Sequence, residues 1–291
     1  MIAIVAFFSP ADFELPKRHL ATTLASLVRE GVPAILAQVV RTGQEPQPVP
    51  AGVASLVYES DDVLFFKENL WNIAARSTDD DKLLFLDADI RFSVDRVAAA
   101  AATLLNVYDV CQPFEVAHWF DRDGRVCLQR GASAAAIARG VEPKPSEWHP
   151  GFAWVMTRTA FDRLGGFYEL HPFGGGDTAF SYCLDERWVE TSMPRTLKHD
   201  AAYWWTSSYA AYQRNAFGLN LRVGYLQGVH AYHLWHGETV NRRYVDRAKS
   251  MPLGRGDEYP LHHRPDGLLA WNDPSFSAVA REYFVGRRED G

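Results

Sequence analysis

Lys82-Leu83-Leu84-Phe85-Leu86-Asp87-Ala88-Asp89 decides how this chain is read. Five residues suited to a buried strand stop at two carboxylates spaced i, i+2. In an extended backbone that spacing points both side chains to one face. Open α/β sheets bind ligands just beyond the carboxyl ends of their strands, which places the pair at a site and not in the core. Carboxylates so close repel each other and stay ionised only beside a cation or water. That points to a divalent metal carrying a phosphorylated ligand. On the tripeptide alone, a solvated Asp-x-Asp turn is an equal reading.

Working outward, Ile2–Phe8 is a continuous apolar run ended by Ser9-Pro10, a buried parallel strand followed by a loop. Helical periodicity over Leu20–Arg29 stops at Gly31, and Val32–Val40 reads as a second strand. Gly43–Gly52, rich in Pro and Gln, is a surface loop; Ala54–Tyr58 is a third strand and Lys67–Ser77 a helix. After the fourth strand, Lys82–Leu86, Ser93 is expected to cap a helix running to about Tyr108. This alternation predicts an α/β fold with a mostly parallel central sheet flanked by helices. Asp79-Asp80-Asp81 falls at the opposite end of the sheet and reads as a solvated turn.

Beyond residue 110 the pattern is more mixed. A strand is expected at Val110–Phe114, a hairpin around Asp123-Gly124, a loop over Gly140–Pro150 and a strand at Gly151–Thr157. A short helix over Arg158–Leu164 leads into the turn Gly165-Gly166-Phe167, and another helix starts at about Thr178. The tail from Asp257 shows little periodicity apart from a helix near Ser275–Tyr283. Three units are expected: residues 1–110, residues 111–240, and residues 241–291 as a basic segment and tail.

Composition bounds the function. The chain has 291 residues, 47% of them apolar and 23% charged, as in an ordinary globular protein. A net charge of −6 gives no global attraction to nucleic acid or anionic membrane. No apolar stretch approaches membrane-spanning length. Met1–Phe8 has neither a basic segment nor a cleavage site, and Cys111, Cys127 and Cys183 are scattered, so a cytoplasmic protein without a disulfide frame is expected.

The order of three elements resembles the GT-A fold glycosyltransferases. Leu84-Phe85-Leu86-Asp87-Ala88-Asp89 is similar to their strand-terminal D-x-D motif. Leu164-Gly165-Gly166-Phe167-Tyr168-Glu169, followed by Gly174-Gly175-Gly176-Asp177, resembles a stretch of galactosyltransferase-like members. Tyr232-His233-Leu234-Trp235-His236-Gly237 resembles the late histidine of their metal shell. Lys67 with Asn72-Ile73-Ala74 is a weaker parallel to the helix beside the nucleotide. The resemblance spans about residues 1–240, and the closing segment resembles bacterial and bacteriophage members.

The resemblance implies a fold, an activity and a set of site residues. Expected is a GT-A domain that moves a sugar from a nucleotide donor, UDP-linked, to an acceptor hydroxyl with Mn²⁺ or Mg²⁺. Asp87 and Asp89 are assigned to metal and ribose, with His236 favoured over His233 as a further ligand. Since strand geometry splits the two histidines across opposite faces, both are not expected to bind. Phe8, Ser9 and Glu59 are placed at uracil and ribose, Lys67 and Asn72 beside the nucleotide, and Arg242 or Arg243 on the diphosphate. Arg247 and Lys249 read as a solvated basic face. Asp177 is the candidate base or acceptor-orienting residue, with Gly175 and Gly176 giving the acceptor close approach. Gly176-Asp177-Thr178 carries one carboxylate where the family has a pair, which leaves those two roles open. Trp204 and Trp205 are assigned to acceptor stacking, against an alternative of core packing. The acceptor is expected to be a glycan, a protein or a hydroxymethylated DNA base, the last disfavoured by the acidic charge. A nucleotidyltransferase and a non-catalytic carbohydrate- or nucleotide-binding module are the rival classes.

Overall fold

Alternate residues of the central strands serve two different cores, which is why those strands read as unbroken apolar runs. In the computed structural model, which describes residues 1–141, 144, 146–188, 203–243 and 260–291 (188 and 203–207 as backbone only), seven strands form one sheet. These are β1 (Ile2–Phe8), β2 (Ala34–Val40), β3 (Val53–Glu59), β4 (Lys82–Leu86), β6 (Val110–Gln112), β10 (Ala153–Thr157) and β11 (Val223–Tyr225). Their order is β11-β6-β10-β4-β1-β2-β3. Only β10 runs against its neighbours β4 and β6, so the sheet is mostly parallel, as predicted.

Ile4, Ile35, Phe85 and Trp154 pack on one face with helices α2 (Lys67–Arg76) and α5 (Arg158–Leu164). The other face buries Val5, Leu36, Leu84 and Val155 against α1 (Glu14–Arg29) and α3 (Val97–Leu104). Each such side chain contributes about 1.5–3 kcal/mol by leaving water, so both helical layers are firmly seated.

A second sheet stands beyond the carboxyl end of β4, in the order β5-β12-β7-β8-β9. It comprises β5 (Ile90–Phe92), β7 (Val116–Phe120), β8 (Val126–Ala132), β9 (Trp148–His149) and β12 (His230–His233). The hairpin expected around Asp123-Gly124 is β7–β8. Further helices are α4 (Ser133–Ala138), α6 (Gly176–Tyr182), α7 (Tyr203–Gly218) and α8 (Phe276–Gly286).

Three expectations are corrected. Ser93 does not cap a helix: its hydroxyl accepts the His230 N–H at 3.0 Å, and its own N–H donates to the His230 carbonyl at 2.8 Å. The helix starts instead after Arg96, which sits in the left-handed region at φ 60°, and it ends at Leu104. Helix α1 begins at Glu14 and not Leu20, because the Asp290 carboxylate accepts the otherwise unpaired N–H groups of Glu14 and Leu15. The tail also forms a hairpin, β13 (Leu261–His263) with β14 (Leu269–Trp271). The main sheet takes strands from both sides of residue 110.

Candidate active site

Strand pairing ends at Leu86, and Asp87-Ala88-Asp89 leaves it as a turn held on three sides. The Asp87 N–H donates to the Phe152 carbonyl at 2.9 Å, the Thr23 hydroxyl donates to the Ala88 carbonyl at 2.8 Å, and the Leu234 N–H donates to the Asp89 carbonyl at 2.9 Å. The turn also ends the strand alternation, so the two carboxylates diverge in their partners although they remain close enough to interact.

Asp89 faces histidines. Its Oδ2 lies 2.6 Å from His236 Nε2 and 3.4 Å from His233 Nε2, and ligand atoms of the three residues fall within 4.8 Å of one another. The expected splitting of the histidines is wrong. His233 closes β12 with its side chain inward, whereas His236 lies past the strand end in a turn that brings its ring onto that of His233, 4.9 Å between centroids. Burial would raise the Asp89 pKa, but its neighbours His233, His236 and Arg242 outweigh it and hold the carboxyl below its ordinary range. Burial pushes the His233 pKa well down, keeping that ring neutral. Asp89 Oδ1 is enclosed and has no hydrogen-bond partner among the described residues. Two imidazole nitrogens and one carboxylate, itself with an orphaned oxygen, form a donor set that fits Mn²⁺ or another divalent cation.

Arg242 reaches the same atoms, with Nη2 2.7 Å from His236 Nε2 and 3.4 Å from His233 Nε2. It therefore stands at the expected site, but against the histidines. Arg243 is exposed and in the left-handed region. His19, which sequence reasoning missed, contacts the Trp235 carbonyl at 2.8 Å and lies edge-on to His236.

Asp87, expected beside the metal, is drawn instead to Lys67, whose Nζ lies 3.2 Å from Asp87 Oδ1, 3.1 Å from Asp177 Oδ2 and 3.7 Å from Glu68 Oε1. Lys67 is 11% exposed; burial works against its charge, but Asp177, Asp87 and Glu68 raise its pKa well above normal. Burial pushes Asp87 up to about 7 against the pull of Lys67, and Glu68 likewise up to about 7. Asp177 is different. Burial would raise it, yet Lys67 and His149 bring it down to about 2.

Asp177 sits in the first turn of α6, with its N–H donating to Glu68 Oε1 at 3.0 Å. Gly175 enters the helix at φ 119°, a conformation that favours glycine. Gly176 is closely packed: a Cβ there would meet Glu68 Cδ at 2.5 Å and the Tyr168 carbonyl at 2.6 Å. Opposite, a Cβ on Gly151 would meet Asp177 Oδ2 at 2.4 Å and His149 Nε2 at 3.2 Å. His149 was missed as well. Its Nε2 has no hydrogen-bond partner among the described residues, and burial lowers its pKa to about 3 although Asp177 pulls it up. Phe152, at φ 76°, carries its ring between His149 and His233, with centroids at 4.1 and 5.5 Å. This rare backbone conformation links the acidic and the histidine clusters.

Other placements change. Asn72 is spent on structure: its amide donates to the Phe167 carbonyl at 2.9 Å and to Glu169 at 3.0 Å, and its Oδ1 accepts the Phe167 N–H at 2.8 Å. Phe8 packs edge-on against Phe65, Phe66 and Phe284. Ser9 accepts the Phe13 N–H at 3.0 Å and lines a cavity of about 180 Å³ with Gln38, Gln44 and Gln47 at the ends of β1 and β2. Glu59 borders a different cleft, with Thr42 and Arg264, so these three residues do not share one pocket. The side chains of Trp204 and Trp205, and the whole of Arg247 and Lys249, lie outside the described residues.

No protein-family model and no curated protein matches the chain. Among solved structures it is similar to S. aureus TarS 1-349 in complex with UDP-GlcNAc: 12% identity and TM-score 0.47, over 82% of this chain and 60% of that one. It is also similar to the catalytic domain of Drosophila beta1,4galactosyltransferase 7 complex with xylobiose, at 17% identity and TM-score 0.35, over 64% of this chain and 61% of that one. A197 from STIV has 12% identity and TM-score 0.36, over 94% and 95%. The chain thus spans about three fifths of the TarS and galactosyltransferase chains. The functional reading rests on the side chains themselves.

Proposed function

We propose that this chain is a GT-A type glycosyltransferase that moves a sugar from a nucleoside diphosphate donor, UDP-linked, to an acceptor hydroxyl with the aid of Mn²⁺ or Mg²⁺. The observation that carries the proposal is the convergence of Asp89, His233 and His236 beside an orphaned carboxylate oxygen, at the carboxyl end of a central strand. A cation held there would neutralise the diphosphate leaving group.

The chain's own residues divide the remaining work. Arg242 brings a permanent positive charge to the same place and is assigned to the diphosphate. Lys67 keeps Asp177 ionised and fixed in direction. A carboxyl with a pKa of about 2 is a poor proton acceptor near neutral pH, so Asp177 is assigned to orienting the acceptor hydroxyl and not to deprotonating it. The nucleotidyltransferase reading needs a phosphate-cradling loop after β1. Here Ser9 caps the turn, and Lys17 is paired with Asp12 and Glu14, both at 2.7 Å.

The test is a nucleotide-sugar screen with and without Mn²⁺, read as melting temperature and release of free UDP. One UDP-sugar should stabilise the protein in the presence of Mn²⁺ and be slowly turned over, and Asp89→Ala should lose both effects. Stabilisation without turnover would favour the binding module. Full cation-dependent release by Asp89→Ala would overturn the assignment.

A further inference from the structure

We infer that Glu289 is a positioning residue for His236, so that the last residues of the chain complete the cation site. The inference rests on reading Asp89, His233 and His236 as cation ligands. Glu289 Oε1 lies 3.3 Å from His236 Nδ1, while Nε2 faces Asp89 Oδ2 at 2.6 Å and Arg242 Nη2 approaches the two nitrogens at 3.3 and 2.7 Å. An imidazole binds a cation through one nitrogen only if its proton sits on the other. A carboxylate at Nδ1 keeps the proton there, fixes the ring direction and makes Nε2 a better donor.

The tail carrying Glu289 is built into the fold. Its side chain is 14% exposed and is paired with Arg287. Gly237, directly after His236, lies at φ 83°, and a Cβ there would come within 2.7 Å of the Arg288 carbonyl and 3.1 Å of the Arg287 carbonyl. The histidine turn and the tail thus meet backbone to side-chain-free backbone. On the other side, the Asp290 carboxylate accepts the N–H groups of Glu14 and Leu15 at the start of α1. Glu289 is held between these two fastenings, so its carboxylate is set against one edge of the His236 ring. His233, by contrast, is oriented by stacking on Phe152, 5.5 Å between ring centroids. The two histidines are therefore steered by different means, one by charge and one by packing.

The experiment measures Mn²⁺ affinity from the electron paramagnetic resonance signal of free Mn²⁺, in the wild type, Glu289→Gln, Glu289→Ala and Asp89→Ala. Glu289→Ala should weaken binding about 10- to 100-fold, the usual effect of losing a partner of a metal-bound histidine. The isosteric Glu289→Gln should weaken it less, and Asp89→Ala should abolish it. Melting temperatures without metal report the purely structural role of the Glu289–Arg287 pair. A second measurement needs no variant: imidazole ¹⁵N spectra of the Mg²⁺-loaded wild type should show the His236 proton on Nδ1. Wild-type affinity in both Glu289 variants, or a proton on Nε2, overturns the inference and leaves the ligand reading standing. A wild type that binds no Mn²⁺ overturns the ligand reading, and this inference with it.

Discussion

Replacing Glu68 by Gln should stabilise the protein at alkaline pH and leave it unchanged in acid. Glu68 is 1% exposed, accepts the Asp177 N–H at 3.0 Å, and lies 3.7 Å from Lys67 Nζ. Burial carries its pKa from 4.5 to about 7. A folded-state pKa above the unfolded one means that the unfolded chain loses its proton first as pH rises. The stability of the wild type therefore falls between about pH 4.5 and 7, and above that window the folded state bears the full cost of a buried charge. At about 1.36 kcal/mol for each pH unit the cost is roughly 3 kcal/mol, a figure that already includes the opposing attraction of Lys67. Gln has nearly the same shape, keeps an acceptor for the Asp177 N–H and carries no charge. Urea unfolding of both proteins at half-unit steps from pH 4 to 9 measures the difference. It should be near zero at pH 4, open through the window and level off above pH 7. A constant offset across the range, or a less stable variant at pH 8, would refute the reasoning.

Two further outcomes concern residues whose roles the structure reassigns. Asn72→Ala should lower stability by about 3 kcal/mol, since it strands the buried Phe167 N–H, while the dissociation constant for UDP stays within twofold of wild type; a large loss of UDP binding at unchanged stability would return Asn72 to the nucleotide. Asp177→Asn should raise the acceptor KM more than it lowers kcat, as expected for an orienting residue, and should leave the acid limb of the pH–rate profile in place. Disappearance of a titrating limb in that variant would make Asp177 the base after all.

The parts of the fold legible in the sequence are those set by short-range burial. β1 and β4 end where their apolar runs do, and α5 lies between its Thr157 cap and Gly165, because polar or turn-forming residues bound each element. The three-residue strands β5, β13 and β14 carry too few residues to show a period, and the partner of β5, β12, lies far along the chain. In the candidate site, Asp89, His233, His236, Lys67 and Asp177 stand out in the sequence by motif, but which of them pair with one another does not. The i, i+2 rule assumed an extended strand through Asp89, and the backbone turns after Leu86. Glu68 and Asn72 were legible in one respect: polar residues in the opening turns of a helix that must cover a sheet imply buried hydrogen bonding. Their partners, Asp177 and Phe167, lie 109 and 95 residues away, and no local pattern carries that. His149 and Glu289 act only through tertiary contacts and leave no mark in sequence spacing.

The reversed strand β10 has a consequence of its own. Six strands present their exits to the reactive edge, whereas β10 presents its approach, His149 to Phe152. Its opposite terminus, Thr157, caps α5 by accepting the Ala160 N–H and is anchored far from the chemistry. On the proposed glycosyl-transfer reading, sequence drift just upstream of β10 would reshape the side facing the acceptor, while the ladder from Ala153 opposite Leu86 to Thr157 opposite Lys82 would hold the donor side in register. One contrary strand would then let a single sheet keep one leaving group while admitting different nucleophiles.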